Sequence, residues 1–440
     1  MLEGRRSIHS AAGQTSAKPC AAKKEGARGG TLGSPTLGMI AAFLDPYVTD
    51  WLNLLLRWLH VIAAIAWIGA SFYFVLLDSE LRPPKELEDV RAGVGGELWE
   101  VHGGGFYHVQ KYRVAPRVLP EHLAWFKWEA YTTWLSGFSL MVVLYYFNAR
   151  TYLIDSSVAD LTSWEAVGIS IGLLAAAWVA YDLLCRGLVG HEAVLTAAIT
   201  GLTALAAWGT MQLFQPRAAF IQVGAMLGTI MAGNVFFNII PAHWELVRAK
   251  RAGRDPDPTP GIVAKQRSVH NNYLTLPVLF TMLAGHFAFT YGATRAWLVL
   301  LVLLLLGVWS RVFFNLRHTG RTIWTLPALG VAAVIVLAIL IRPGDNSGSA
   351  AAAEPVAFAA VQPVVAQRCQ TCHSATPTSK DFKTAPAGVA LDTTEQIVSR
   401  AEAIKTVVAT KVMPLGNVTG MTQHERDLVV TWVSQGASTK

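Results

Sequence analysis

The sequence predicts an all-α protein, with a bundle of eight transmembrane helices followed by a small C-terminal domain. Of the 440 residues, 52% are hydrophobic and only 15% are charged, whereas a soluble domain averages about 25% charged. Eight apolar stretches are long enough to cross a bilayer, and a polar segment follows the last of them. This composition excludes a disordered, fibrous or disulfide-scaffold protein.

Each apolar stretch is predicted to be a helix. About 20 residues cross roughly 30 Å of hydrocarbon as a helix, and the backbone must satisfy its own hydrogen bonds there. Tryptophans at several of the ends suit the membrane interface. The predicted spans are 51–77, 128–147, 164–184, 193–214, 218–240, 272–292, 296–316 and 323–341.

The orientation follows from the lysines and arginines of the connections. Alternate connections, beginning with 78–127, carry sixteen of them, and the others carry three. The cation-rich connections are therefore predicted to be cytoplasmic, with the C-terminal domain on the opposite side. The net charge of +7 reflects this loop placement, and no nucleic-acid partner is expected.

Four segments are predicted along the chain. Residues 1–38 are rich in Ala, Gly and Ser and lack the apolar core of a signal peptide, so we interpret them as a disordered or mis-assigned extension before a start at Met39. A regulatory tail is the alternative. The membrane domain is 39–342, a linker is 343–354, and the C-terminal domain is 355–440.

Cys369-Gln370-Thr371-Cys372-His373 is a C-x-x-C-H motif, the attachment sequence of c-type haem. The motif predicts that Cys369 and Cys372 bind one covalent haem c and that His373 ligates its iron. Residues 355–440 are accordingly predicted to be a class I cytochrome c domain. Met413, which precedes a proline, is the preferred second axial ligand, and Met421 is the competitor.

Ionisable residues within predicted spans are costly and are functional candidates. His60 and His286 both fall in the outer half of the bundle and could bind a haem b. Hydrogen bonds to neighbouring helices are the structural alternative.

A larger polar group lies near the cytoplasmic ends of the spans. Arg311 and Asn315 share one helix face, and Asn234 and Asn238 lie one turn apart. Amides and a guanidinium in a low-dielectric site suit a planar, polar anion. The alternative is a set of hydrogen bonds that holds the helices together.

The first connection, 78–127, is long and rich in glycine and aromatic residues, which favours an ordered lid or a re-entrant element over a disordered loop. Its His102 and His108, together with Glu129 at the start of the second span, are the candidate catalytic acid–base groups. The alternative is that His102 and His108 are surface histidines without a catalytic role.

Three runs of the sequence carry a family resemblance. Residues 51–72, 96–107 and 125–131 resemble a family of membrane-bound urate oxidases, also called urate hydroxylases, that are linked to cytochrome c. The resemblance extends from Met39 to the C-terminus. It implies that urate and water give 5-hydroxyisourate, and that two electrons pass to the protein's own haem c instead of forming hydrogen peroxide.

The resemblance also implies partners and a location. Urate is the substrate, a soluble cytochrome c or a terminal oxidase accepts the electrons, and the lipid is the bacterial inner membrane, with the cytochrome domain in the periplasm. Two other functions remain open at this point: a quinol-oxidising electron-transfer subunit with a tethered cytochrome c, and a transporter or sensor.

Overall fold

The computed structural model describes residues 46–342 and 354–439. The predicted N-terminal extension, the start at Met39 and nearly all of the linker lie outside the described residues. The described chain is mostly helical, as predicted.

The first part of the chain consists of twelve helical segments with a β-hairpin after the second. These are α1 (Pro46–Glu80), α2 (Leu87–Ala92), β1 (Val94–His102), β2 (Gly105–Tyr112), α3 (Trp128–Met141, continued by the π-helix Val142–Tyr146), α4 (Ala149–Tyr152), α5 (Ser163–Gly187), α6 (Glu192–Met211), α7 (Pro216–Gly233, continued by the π-helix Asn234–Ile239), α8 (Ile240–Arg251), α9 (Pro258–Ala284), α10 (Ala288–Tyr291), α11 (Ala296–His318) and α12 (Thr325–Leu340).

Five helical runs in the described residues are long and apolar enough to cross a membrane. They are Val48–Glu80, Ser163–Gly187, Glu192–Met211, Pro216–Arg251 and Ala296–His318. The other three predicted spans coincide with α3, α9 and α12. Of these, α12 is apolar but only 16 residues long, and α9 carries polar residues through its first half. The finding is consistent with a membrane protein, and the count of eight spans stays a prediction.

Helix α9 begins fourteen residues before the predicted span, at Pro258 instead of 272. The Asp257 side chain accepts a hydrogen bond from the backbone N–H of Thr259 at 2.9 Å, and Pro258 occupies the first turn, where its missing N–H costs nothing. Lys265 and Arg267 fall between the predicted spans 218–240 and 272–292, but in the structure they lie on this helix.

Close approaches at glycines hold α9 against its neighbours. A Cβ added at Gly307 of α11 would lie 2.9 Å from the backbone nitrogen of Pro277, and one added at Gly224 of α7 would lie 1.9 Å from Thr281 Oγ1. Since neither position has room for a methyl group, α9 packs between α7 and α11 at nearly backbone-to-backbone distance. This central position brings its polar residues into contact with several helices.

The first connection contains an antiparallel hairpin, so the description all-α needs one correction. β1 and β2 pair from Val94↔Tyr112 to His102↔Gly105, with an irregularity near Gly96. Gly103 and Gly104 form the turn, both with positive φ (58° and 80°), a conformation that glycine adopts without steric cost. The connection is ordered, as favoured from the sequence.

The C-terminal part has four helices: α13 (Phe358–Arg368), α14 (Thr394–Ser399), α15 (Ala401–Ala409) and α16 (Gln423–Ser434). Trp432 and Val361 are buried in its core, and the ring centroids of Trp432 and Phe358 lie 5.4 Å apart. From Pro46 onward the chain forms one compact unit. Thr151 Oγ1, in α4, donates a hydrogen bond to Asp381 Oδ2 at 2.7 Å across the contact between the two parts.

Candidate functional site

Arg311 and Asn315 meet on a third residue, Asn272 of α9. Arg311 Nε donates a hydrogen bond to Asn272 Oδ1 at 2.9 Å, and Asn315 Nδ2 donates to the same oxygen at 3.1 Å. The Asn272 side-chain nitrogen lies 3.5 Å from Ser71 Oγ of α1. Arg311 and Asn272 are almost fully buried. Three helices therefore contribute to one polar group, which we call the Arg311 group (Ser71, Phe72, Asn272, Arg311 and Asn315).

Two atoms of the Arg311 group have unused hydrogen-bonding capacity. Arg311 Nη2 and Asn315 Oδ1 are buried and find no partner among the described residues. The guanidinium carbon of Arg311 lies 3.8 Å from the centroid of the Phe72 ring, which fixes the plane of the guanidinium. A buried donor and a buried acceptor left unpaired are costly unless a ligand satisfies them.

Asn234 belongs to a second group, built on the neighbouring residue of α9. Its Nδ2 donates to Tyr181 Oη at 3.1 Å and to Asn271 Oδ1 at 3.0 Å. Tyr181 Oη in turn hydrogen-bonds to His270 Nδ1 at 2.7 Å. Asn234 Oδ1 is buried without a partner among the described residues. Because Asn271 and Asn272 are consecutive, α9 connects this group to the Arg311 group.

A buried ion pair lies next to the Asn234 group. Arg267 Nη2 donates to Asp182 Oδ1 at 2.8 Å, and Arg186 Nε donates to Asp182 Oδ2 at 2.7 Å. The side chain of Arg267 is 1% exposed, and its guanidinium carbon lies 5.0 Å from the centroid of the Tyr181 ring. The ion pair therefore joins α5 to α9 next to the Tyr181 ring.

The two histidine candidates for acid–base chemistry both lie on the hairpin. His108 Nε2 is 2.9 Å from Glu97 Oε2, and its ring stacks on Trp99 with centroids 4.2 Å apart. His102 is exposed at the end of β1. The contacts of His108 are thus made within the hairpin itself, and its catalytic role stays a prediction.

Glu129 and Asn238 are the remaining candidates, and each has an unsatisfied buried atom. Glu129 Oε2 and Asn238 Nδ2 are buried and lack a hydrogen-bond partner within the described part of the chain. Asn238 lies in the π-helix that continues α7, and such turns are frequent at functional sites. Both residues stay predicted site residues.

The sequence did not single out Ser71, Phe72 and Tyr181, which are among the members of these groups. Ser71 and Phe72 lie in an apolar run that reads as an ordinary span, and only the fold of α1 against α9 and α11 shows what they contact. Tyr181 precedes Asp182, a charged residue inside a span, so the neighbouring charge was the available signal.

His60 and His286 differ in their surroundings. His60 Nδ1 lies 3.0 Å from the Thr133 carbonyl oxygen and 3.1 Å from Ser136 Oγ, and a Cβ added at Gly137 would lie 2.8 Å from His60 Cε1. His286 is exposed in the turn after α9. His60 is therefore a contact between α1 and α3, which was the structural alternative.

The C-x-x-C-H segment lies at the end of α13. Cys369 and Cys372 are free and partly buried, and burial raises the pKa of the Cys369 thiol to about 11. His373 Nδ1 lies 3.0 Å from the Val389 carbonyl oxygen. The Met413 carbonyl oxygen accepts a hydrogen bond from Arg426 Nη1 at 2.6 Å, and Met421 is buried in the core of this part.

The comparisons with known proteins identify the family. A family model described as urate oxidase N-terminal matches residues 46–342. The chain therefore belongs to the urate oxidase N-terminal family, which makes it an oxidoreductase related to urate oxidases with urate as the implied substrate. No curated protein and no solved structure matches the chain.

These findings correct the cofactor prediction. In residues 46–342 and 354–439, no three His, Cys, Asp or Glu side chains come together as a group that could hold a metal ion. The family match ends at residue 342, before the C-x-x-C-H segment. The ring of His60 packs against helix α3 at Gly137. These findings therefore give no support to the prediction of haem c, with haem b as a second group.

Proposed function

We propose that this protein is an integral membrane urate oxidase that converts urate and water to 5-hydroxyisourate. The reaction removes two electrons and two protons from urate and water together, and the oxygen of the new hydroxyl group comes from water. The observation that carries the proposal is the Arg311 group, in which a buried donor and a buried acceptor without partners lie within the segment that matches the urate oxidase family.

The chemistry of the Arg311 group matches the urate anion. Arg311 Nη2 is a charged donor for an oxygen or a deprotonated nitrogen of the purine, and Asn315 Oδ1 is an acceptor for a ring N–H. Asn272 Oδ1 accepts a hydrogen bond from each of these two side chains and so fixes their relative positions. Asn234 and Asn238 are proposed as further contacts, since Asn234 Oδ1 and Asn238 Nδ2 are also unpaired among the described residues.

Proton transfer needs a base near the attacking water. Of the three candidates, Glu129 has a buried carboxylate oxygen that no described residue engages. His108, by contrast, is paired with Glu97. We assign the base to Glu129 and keep His102 and His108 as the alternatives.

The membrane and the electron acceptor complete the proposal. Eight helices cross the bacterial inner membrane, and the cation-rich connections and the urate site face the cytoplasm, while residues 354–439 lie on the periplasmic side. A respiratory acceptor outside this chain, a soluble cytochrome c or a terminal oxidase, takes the two electrons. Dioxygen is then not reduced to hydrogen peroxide.

An anaerobic assay with membranes containing the full chain tests the proposal. Urate and oxidised soluble cytochrome c are added in water labelled with oxygen-18. We expect reduction of two cytochrome c molecules per urate and the label in the hydroxyl group of the product. The variant Arg311→Ala should lose this activity at an unchanged membrane level of the protein.

The alternatives give different results in the same assay. Consumption of urate only in air, with hydrogen peroxide formed, would contradict the proposed acceptor. Reduction of cytochrome c by a quinol, with no response to urate, would instead identify a quinol-oxidising subunit. Equal loss of activity and of protein in Arg311→Ala would assign Arg311 a purely structural role.

A further inference from the structure

The two faces of the β-hairpin differ in what they contact. One face bonds to α1, because Glu100 Oε2 accepts a hydrogen bond from Tyr73 Oη at 2.7 Å and Lys111 pairs with Asp78. Asp78 also pairs with Lys265 of α9. The hairpin is therefore clamped alongside the end of α1 through the polar side chains of this face.

The opposite face is apolar at its tip. At its base, Glu97 Oε1 accepts a hydrogen bond from the Lys85 backbone N–H at 3.2 Å. Trp99, Val101 and Phe106 lie on this face, since Trp99 pairs with His108 and Val101 pairs with Phe106. Their exposed fractions are 63%, 73% and 80%. Three neighbouring large apolar side chains this exposed form a patch that is unusual on a surface facing water.

The position of the hairpin along α1 indicates which surroundings the apolar patch meets. Tyr73 lies seven residues before the end of α1, which is about 10 Å along a helix. The run Val48–Glu80 has 33 residues, about 50 Å as a helix, against roughly 30 Å of hydrocarbon. If α1 extends equally beyond both sides, Tyr73 lies at the boundary of the hydrocarbon, and Glu100 lies there with it.

The tip therefore reaches the level of the lipid headgroups and the first acyl carbons. His102 is two residues past Glu100, about 7 Å along a strand. A two-stranded hairpin leaves backbone N–H and C=O groups unpaired on its outer edges, so it cannot enter the hydrocarbon core. Tryptophan and phenylalanine side chains at the interface give a favourable contact without that cost.

We propose that the hairpin is a membrane-surface anchor that places Trp99, Val101 and Phe106 in the bilayer interface beside α1. The partner is the lipid surface of the same membrane that the helices cross. This inference rests on the proposed membrane location, so its test needs a control for membrane insertion itself.

The test uses full-length protein carrying a single added cysteine labelled with an environment-sensitive fluorophore, with the signal of the labelled wild-type protein subtracted. The protein is reconstituted in vesicles of phosphatidylcholine and phosphatidylglycerol, with or without a lipid carrying a spin-label quencher at a shallow acyl position. Phe106→Cys is the test variant. Val118→Cys is its matched control, because Val118 is 82% exposed in the same connection but outside the hairpin.

We expect the quencher to reduce the fluorescence at position 106 at least about twofold more than at position 118, as for a side chain at the acyl boundary. Equal quenching at the two positions would overturn the proposal and place the tip in water. Ile65→Cys, at an exposed position in the middle of α1, reports on insertion. Failure of quenching at Ile65→Cys as well would contradict the membrane location itself, whereas failure at Phe106→Cys alone contradicts only the anchor.

Discussion

Arg311 Nε donates a hydrogen bond to Asn272 Oδ1 at 2.9 Å while the other side of its guanidinium rests on the Phe72 ring. Arg311 comes from α11, Asn272 from α9 and Phe72 from α1. These two contacts hold a buried cation in one orientation and leave Nη2 without a partner among the described residues. An arginine held in this way is preorganised for an anionic ligand, because little of its conformational entropy is left to lose on binding.

Replacing Arg311 with lysine tests this preorganisation. Lysine keeps the charge but cannot bond to Asn272 and a ligand through one planar fork. Loss of a charge-assisted hydrogen bond, about 1.5–3 kcal/mol, corresponds to a fall of about 10- to 150-fold in kcat/KM for urate. Steady-state kinetics measure it. Arg186→Lys is the control, since the Arg186 side chain is 69% exposed, and a matching loss in that variant would contradict the assignment.

The buried Asp182–Arg267 pair is expected to be structural. Asp182→Asn leaves the Arg267 guanidinium, which already has two unpaired nitrogens within the described structure, without its counter-charge. Removing one partner of a buried ion pair costs about 3–5 kcal/mol. The thermal unfolding temperature in detergent should fall clearly, and it should recover in part in the double variant Asp182→Asn, Arg267→Met. No recovery in the double variant would contradict the ion-pair explanation.

Two glycines of α7 make a matched pair for testing helix packing. At Gly224 an added Cβ would meet Thr281 Oγ1 at 1.9 Å, whereas at Gly228, one turn further, nothing lies within 4 Å. Overpacking at Gly224→Ala should cost about 1–3 kcal/mol. Gly228→Ala should be neutral or stabilising, since alanine is the better helix former. Thermal unfolding of both variants measures the difference, and equal unfolding temperatures would show that α7 and α9 are not packed as described.

Glu425 makes the stability of α16 depend on pH. Partial burial raises the pKa of Glu425, but the Thr422 backbone N–H and the Arg368 and Thr422 side chains outweigh this and hold the pKa below its usual range. A lowered folded-state pKa stabilises the fold above the unfolded value of about 4.3, and the gain is lost as pH falls through the folded-state pKa.

We therefore expect Glu425→Gln to reduce the hydrogen-exchange protection of Gln423–Ser434 at neutral pH. The difference from the wild type should shrink in acid, below about pH 4. Glu402→Gln is the control, because the Glu402 side chain is 80% exposed. A difference between Glu425→Gln and the wild type that is the same at every pH would rule out the charge of Glu425 as its cause.

The positions of the helices followed closely from the sequence, with informative exceptions. The apolar run 296–316 became α11 within two residues of its predicted ends, because a sustained apolar stretch has only one way to satisfy its backbone in lipid. The start of α9 was misplaced, since Lys265, Arg267 and His270 read as loop residues. The Asp257-Pro258 cap was the local signal that outweighed this polarity.

The polar residues of the predicted site stay predicted substrate contacts, but the structure divides them between two groups. Arg311, Asn315, Asn234 and Asn238 were predicted as one site, whereas Arg311 and Asn315 meet on Asn272, and Asn234 bonds to Asn271 and Tyr181. Helical spacing shows which residues share a face of one helix. It does not show which faces of different helices meet, and that depends on close contacts such as Gly224 with Thr281.

The sequence by itself determined the apolar helices, the approximate ends of most of them and the kinship with urate oxidases, because each of these is written in consecutive residues. Only the tertiary structure decided that Phe72, Asn272 and Arg311 form one contact, and that the glycine-rich connection folds into a hairpin clamped to Tyr73 and Asp78. Those outcomes depend on side-chain volume and hydrogen bonding between segments far apart in the chain, which local periodicity does not encode.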